Sequence, residues 1–155
     1  MIIVDSNKQT LTLKNNNKVL NFSISTAKKG LGEKFNSFCT PRGLHKIKLK
    51  IGKNCPKGAV FVSRRFSGEI YSDKLKIQYP DRDWILTRIL WLSGLEANKN
   101  RYGVVDSMKR FIYIHGTNEE YLIGKKVSKG CIRMRNDDIM KLFDKVSIGD
   151  KLIIK

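Results

Sequence analysis

Apolar and polar positions alternate in short runs along most of this chain, and turn residues separate the runs. Lys46, Lys48 and Lys50 interleave strictly with Ile47, Leu49 and Ile51. This period of two marks a half-buried strand with its lysines on the solvated face. Residues 10–14 and 18–24 flank Asn15-Asn16-Asn17, a hairpin turn by composition, because Asn tolerates left-handed backbone angles. Residues 59–63 and 111–115 read as further strands, the latter rich in Ile and aromatic residues. Two segments break the pattern. Asp83 at a capping position, Gly94 past the end and apolar residues nearly all round predict a buried helix over about 83–93. Asn136 as cap, Asp137 and Asp138 in the first turn, and Ile139, Met140, Leu142 and Phe143 on one face predict another over about 137–145. Residues 146–150 then turn into a closing strand, 151–155. The whole is a mainly β fold with two short helices. No repeat, linker or composition break divides it, so residues 1–155 read as one domain.

At 155 residues and 41% apolar, such a domain buries roughly 68–70% of its unfolded surface. With 12 Gly and 3 Pro it is neither collagenous nor low in complexity. The longest apolar runs, 89–92 and 111–114, are far short of the ~20 residues that a membrane-crossing helix needs. The opening Met1-Ile2-Ile3-Val4-Asp5 lacks the basic start and longer apolar stretch of a secretory leader. A cytoplasmic protein is therefore expected, or a periplasmic or cell-wall one if a leader has been removed.

Charge alters the picture more. Thirty-one Lys and Arg against 14 Asp and Glu leave a net +17, with 16 basic and 4 acidic residues in 1–78 alone. Polyanions become candidate partners. No groove-reading motif accompanies the charge, so nucleic acid is not the expected main partner. The lysine row at 46, 48 and 50 reads as a solvated strand face. Cys39, Cys55 and Cys131 form no close pair and no zinc pattern, and neither a metal nor a cofactor is expected. Cys39 and Cys55 read as small buried hydrophobes.

Cys131 has different neighbours. His115 ends an apolar strand and is followed by Gly116-Thr117; Cys131, 16 residues after His115, lies in Ser128-Lys129-Gly130-Cys131-Ile132-Arg133-Met134. A thiol nucleophile needs a base within reach, an acceptor that orients the base, and N–H donors for an oxyanion. Gly130 allows close backbone approach next to the thiol. In an extended segment Lys129, Cys131 and Arg133 share a face, and two cations would favour the thiolate. His45, the other histidine, reads as a packed strand residue.

The stretch Ile114-His115-Gly116-Thr117 followed by Ser128-Lys129-Gly130-Cys131-Ile132-Arg133-Met134 resembles the catalytic motif of the L,D-transpeptidase (YkuD-like) family. Residues 36–47, centred on Thr40-Pro41-Arg42-Gly43, and the opening residues 1–13 extend the resemblance to essentially the whole chain. It implies a β-sandwich-like catalytic domain acting on peptidoglycan stem peptides or muropeptides. It assigns Cys131 as nucleophile, His115 as base, the Gly116 carbonyl as orienter of the imidazole, and the N–H groups of Gly130 and Cys131 as the oxyanion hole. Arg133, Ser128 and Thr117 are the implied substrate contacts. Arg133 suits a carboxylate, with a structural ion pair to Asp137 or Asp138 as the alternative, and Ser128 is expected chiefly to shape the loop. Many members carry a second histidine where this chain has Lys129.

The implied thiolate attacks between the L-centre of the third stem residue, usually meso-diaminopimelate, and D-Ala at position four. Water as acceptor makes an L,D-carboxypeptidase of muropeptide recycling. A neighbouring amine makes a 3–3 cross-linking or D-amino-acid-exchanging transpeptidase. The short leaderless branch of the family, which this chain resembles, points to water. Carbapenems are the implied covalent inhibitors. A basic polyanion-binding module that kept only the scaffold is the non-enzymatic alternative.

Overall fold

A computed structural model describes all of residues 1–155. Ten strands and two helices follow in order: β1 (Ile2–Asp5), β2 (Thr10–Asn15), β3 (Lys18–Ser25), β4 (Gly43–Ile51), β5 (Ala59–Val62), β6 (Arg65–Ile70), α1 (Asp73–Gln78), β7 (Ile85–Gly94), β8 (Tyr113–Gly116), β9 (Ile132–Met134), α2 (Asn136–Lys145) and β10 (Lys151–Ile154). The strand order is β4-β10-β1-β2-β3-β9-β8-β7-β5-β6, and a further β4–β7 pairing closes all but the β5–β6 hairpin into a barrel-like ring. The expected mainly β, sandwich-like class is observed. The β2–β3 hairpin turns as expected, with Asn16 at φ 48°.

One main core fills the ring. Ile2 and Val4, Leu11 and Leu13, Phe22 and Ile24, Ile132 and Met134, and Leu152 and Ile154 come from alternate positions of their strands, all facing inward. Ile139, Leu142 and Phe143 of α2 join the same cluster. The helix therefore packs against the strands through one apolar stripe, and α2 spans nearly the predicted residues. Its N-cap is Arg135, without a side-chain bond; Asn136 is buried and turned to other work, described below.

The other predicted helix is a strand. Residues 85–94 form β7, paired with β4 and β5 on one side and β8 on the other. A central strand buried on both faces is a continuous apolar run, and on a helical wheel such a run looks like a helix buried all round. The second helix is instead α1, a single exposed stretch capped by Ser72. Residue 111 is likewise outside β8: Phe111 sits in the preceding loop at φ 58°, half its surface exposed.

The lysine row is interrupted as well. A β-bulge in β4 between Ile47 and Leu49 shifts the register, so the alternation breaks and Leu49 becomes exposed. Lys50 swings to the helix side, where Nζ donates to the carbonyls of Phe143 and Val146, each at 2.7 Å, over the Phe143 ring. A cation on the last carbonyls of a helix satisfies groups that the helix itself cannot. Lys50→Ala should therefore destabilise the protein by about 1–3 kcal/mol, whereas Lys48→Ala should stay within about 0.5 kcal/mol. Urea unfolding of both variants checks this; equal effects would mean that the bulge does not separate the two lysines.

Candidate active site

β8 and β9 run parallel at the middle of the sheet, with His115 opposite Arg133. This pairing brings the two halves of the motif together. His115 is buried, and its Nδ1 lies 2.6 Å from the Gly116 carbonyl. A carbonyl only accepts, so Nδ1 carries the proton and Nε2 keeps its lone pair. Burial lowers the pKa of His115, against the pull of that hydrogen bond and of Asp83. Burial thus favours the neutral ring, in which Nε2 is the single basic atom.

Gly116 must be glycine because of close approach. A Cβ there would lie 2.7 Å from the Leu86 carbonyl and closer still to Asn136 Oδ1. Both neighbours belong to one buried knot. Asn136 Nδ2 donates to the Thr117 carbonyl at 2.8 Å and to Glu120 Oε1 at 3.1 Å, while Oδ1 accepts from Thr87 Oγ1 at 2.6 Å. Thr87 lies in a β-bulge of β7 at φ 75°, a conformation that β-branched residues rarely adopt. Its hydroxyl also accepts the Gly58 N–H.

Cys131 is half-buried at the start of β9. Its thiol donates to the Phe111 carbonyl at 3.3 Å and accepts the Tyr113 N–H at 3.4 Å; it is not hydrogen-bonded to His115 in this state. Burial pushes the thiol up to about 12, outweighing the Tyr113 N–H and the cations Arg133 and Arg110, which pull it down, while Asp83 adds to the rise. The expectation of a cation-stabilised thiolate is thus corrected. Desolvation wins, and the resting pair is neutral thiol with neutral imidazole.

The loop before the thiol is held from behind. Gly130 has φ 131°, which favours glycine. Thr40 Oγ1, fully buried, accepts the Ala27 N–H and donates to the Gly130 carbonyl at 2.9 Å. Because the peptide is planar and trans, holding this carbonyl aims the Cys131 N–H the opposite way. Ser128 Oγ donates to the Cys131 carbonyl at 2.5 Å and accepts the Gly130 N–H at 3.2 Å. Of the two N–H groups named for an oxyanion hole, that of Gly130 is thus already engaged.

Cys131, His115, Tyr113, Arg64, Arg133 and Asp83 line one cleft of about 340 Å³, with Ser128, Lys129 and Arg110 at its edges. A second depression of about 250 Å³ adjoins it, sharing Cys131, Phe38, Phe111, Arg110 and Lys129, and adds Phe35. Arg133 is in the first cleft, but its ion pair is with Glu119 at 3.3 Å rather than with Asp137 or Asp138; Asp137 pairs with Lys57. Thr117 is not in the cleft. It is buried, its hydroxyl accepts the Glu119 N–H and its carbonyl serves Asn136, so its expected substrate contact is withdrawn. No group of three or more His, Cys, Asp or Glu side chains is arranged to hold a metal ion.

His45 is remote from this cleft, with Nδ1 at 2.9 Å from the Gly43 carbonyl and Nε2 at 2.8 Å from Ser107 Oγ. Cys55 packs half-buried against Ala59, Phe61, Ile89 and Tyr113, and Cys39 turns its thiol towards the Lys29 and Ser37 carbonyls. Sequence reasoning missed Arg64, Arg110, Asp83 and Asn136. Arg64 and Arg110 carry no local pattern, and Asp83 and Asn136 read locally only as helix caps, since each acts across the fold. Thr40 alone had a signal, its place in the Thr40-Pro41-Arg42-Gly43 segment.

The fold agrees with the comparisons. The L,D-transpeptidase catalytic domain profile matches residues 1–154, and the chain belongs to that family. The "Probable L,D-transpeptidase ErfK/SrfK" of Escherichia coli K12 is 56% identical over 45 residues, 29% of this chain and 14% of that protein. A Bacillus subtilis protein named YkuD is 44% identical over 64 residues, 41% of this chain and 31% of that one. The matches thus span less than a third of these curated relatives. Among solved structures, an L,D-transpeptidase from Mycobacterium smegmatis superposes with TM-score 0.56 at 21% identity, over 99% of this chain and 57% of the other. The L,D-transpeptidase LdtMt1 in complex with imipenem gives 0.57 at 20% identity, over 99% and 57%. At these identities the likeness is one of fold.

Two outcomes follow from this geometry. Iodoacetamide labelling of Cys131, followed by peptide mass, should be slow at neutral pH and still rise above pH ~10, as befits a thiol held above its usual range. A plateau below pH ~8 would mean a resting thiolate. His45→Phe should lower stability by about 1–3 kcal/mol, because it orphans the buried Ser107 hydroxyl, and thermal unfolding reads this directly. An unchanged melting temperature would show the two hydrogen bonds to be dispensable.

Proposed function

We propose that this protein cleaves the bond between meso-diaminopimelate and the terminal D-Ala of peptidoglycan tetrapeptides, through an acyl-enzyme on Cys131 that water resolves. The observation that carries this reading is the neutral His115, anchored through Nδ1 on Gly116, in one cleft with the neutral Cys131 thiol. As sulfur attacks the carbonyl carbon, the thiol proton passes to His115 Nε2. The Cys131 N–H receives the oxyanion, joined by that of Gly130 once it leaves Ser128. The imidazolium then protonates the departing D-Ala amine, and a thioester to the L-centre remains. Water gives its proton to His115, attacks the thioester and releases tripeptide and free thiol.

The cleft's charge favours water as acceptor. Arg64, Arg110, Arg133 and Lys129 surround it against Asp83, so an ammonium-bearing acceptor meets a positive field that water does not. This reading goes with a cytoplasmic supply of small recycled muropeptides. The second depression at Cys131 supports the other reading, in which an acceptor stem enters there and a 3–3 cross-link forms. As the imipenem complex concerns a protein of similar fold, a carbapenem is also expected to acylate Cys131.

The test is a purified tetrapeptide-bearing muropeptide with and without excess D-methionine, its products separated by mass. Tripeptide and free D-Ala should dominate. Cys131→Ala should abolish release, and His115→Ala should slow it by about 10²-fold or more. Cys39→Ser and Cys55→Ser should retain most activity. Dominant D-methionine exchange or dimer would overturn water as acceptor, and full activity in Cys131→Ala would overturn the reaction itself.

A further inference from the structure

Four cations border the catalytic cleft, and three of them are committed or loose. Arg133 is ion-paired with Glu119. The Arg110 guanidinium is spent on the loop across from it, donating to the carbonyls of Gly32, Glu33 and Cys39 and to Ser37 Oγ. Lys129 is exposed and solvated, a poor fixed reference for a ligand.

Arg64 differs from all three. It is half-buried, its Cζ lies 4.8 Å from the ring centres of both Trp91 and Phe111, and one Nη donates to the Tyr113 hydroxyl at 3.1 Å. Two aromatic faces and a phenol fix the plane of the guanidinium without neutralising it. No carboxylate of the protein pairs with it, and most of its N–H donors stay free. The backbone adds a second observation. Ser63 and Arg64 form the two-residue turn between Val62 and Arg65, with φ 47° and 64°. Such turns ordinarily take Asn-Gly, and a Ser-Arg pair at positive φ is strained. The strain holds an arginine at the one turn of this hairpin that reaches the thiol's cleft.

We propose that Arg64 binds the free carboxylate of the substrate's terminal D-residue, and so restricts cleavage to peptides ending at that residue. The inference rests on the cleavage reaction proposed above. His115 has to reach the departing amine, and His115 and Arg64 line the same cleft, whereas neither lines the second depression. The residue that leaves therefore sits on Arg64's side of Cys131. In that residue amine and carboxylate share one carbon, so an amine at His115 brings a carboxylate to the neighbouring wall. A planar guanidinium meets a carboxylate through two parallel hydrogen bonds.

The test compares the tetrapeptide acid, its C-terminal carboxamide, and a tetrapeptide with Lys as third residue, which removes the side-chain carboxylate at that place. Arg64→Asn removes the cation while keeping a residue that tolerates the left-handed turn, and Arg64→Lys keeps charge without the fork. The wild type should prefer acid to carboxamide by about tenfold or more in kcat/KM, the scale of one charge-assisted contact. Arg64→Asn should erase that preference, mainly through KM, the loss on the acid exceeding that on the carboxamide by about tenfold; Arg64→Lys should restore only part of it. Calorimetric binding of the same peptides to Cys131→Ala and to Cys131→Ala/Arg64→Asn reads the contact independently of turnover, so it stands or falls separately from the cleavage reading. Equal losses on acid and carboxamide would make Arg64 merely structural, and a loss that follows the third residue's carboxylate would assign it to the wrong group. Either result overturns the inference.

Discussion

One buried carboxamide, that of Asn136, joins the parts on which the candidate site depends. Through Thr87 it reaches the bulge of β7, through Thr117 the chain just past His115, and through its own backbone the first turn of α2. Gly116, whose carbonyl orients the imidazole, packs against this amide, where no side chain fits. In a low-dielectric interior each of these bonds is strong, and each would be costly to leave unmade. The positive φ of Thr87 is tolerated because its hydroxyl is bonded on two sides. The geometry of His115 is thus a property of three distant segments meeting at one amide.

Cys131, the proposed nucleophile, depends on a matching device on the opposite flank. Thr40 holds the Gly130 carbonyl, and peptide planarity transmits that hold to the Cys131 N–H. Arg110 pins the segment that carries Thr40, through the carbonyls of Gly32, Glu33 and Cys39. Both flanks act by fixing backbone carbonyls, which leaves the side chains of Cys131 and His115 free for chemistry.

Electrostatics divides into a global and a local part. The net charge of +17 sets the field that an anionic substrate meets on approach. It does not set the protonation of the reacting groups. Around Cys131 the cost of desolvating a thiolate exceeds the help from nearby guanidiniums, so the proton stays on sulfur until a base takes it. Burial holds His115 neutral for the same reason, and a neutral imidazole is the form able to take that proton. The arginines act locally instead: one is paired, one is a staple and one is left without a counter-ion beside the thiol.

Much of this protein was legible in its sequence. Period-two alternation and the Asn turn placed β2, β3 and the second half of β4. The spacing of acids and apolar residues placed α2, and the His115 and Cys131 motifs marked two segments that the fold brings into one cleft. These are local signals, carried within a few residues. What lay beyond reach was whatever depends on the company a segment keeps. Whether residues 85–94 are helix or strand turned on pairing with β4, β5 and β8, because burial on every side has no period of its own. Where Lys50 points turned on a bulge, which needs a partner strand to exist. The charge state of Cys131 turned on how much water the fold excludes. Which arginine of the cleft stays unpaired, Arg64 rather than Arg133, turned on where Glu119 lies in the folded chain. Propensity and pattern are written along the chain, whereas burial, register and counter-ions are settled between segments far apart in it, and only the tertiary structure decides them.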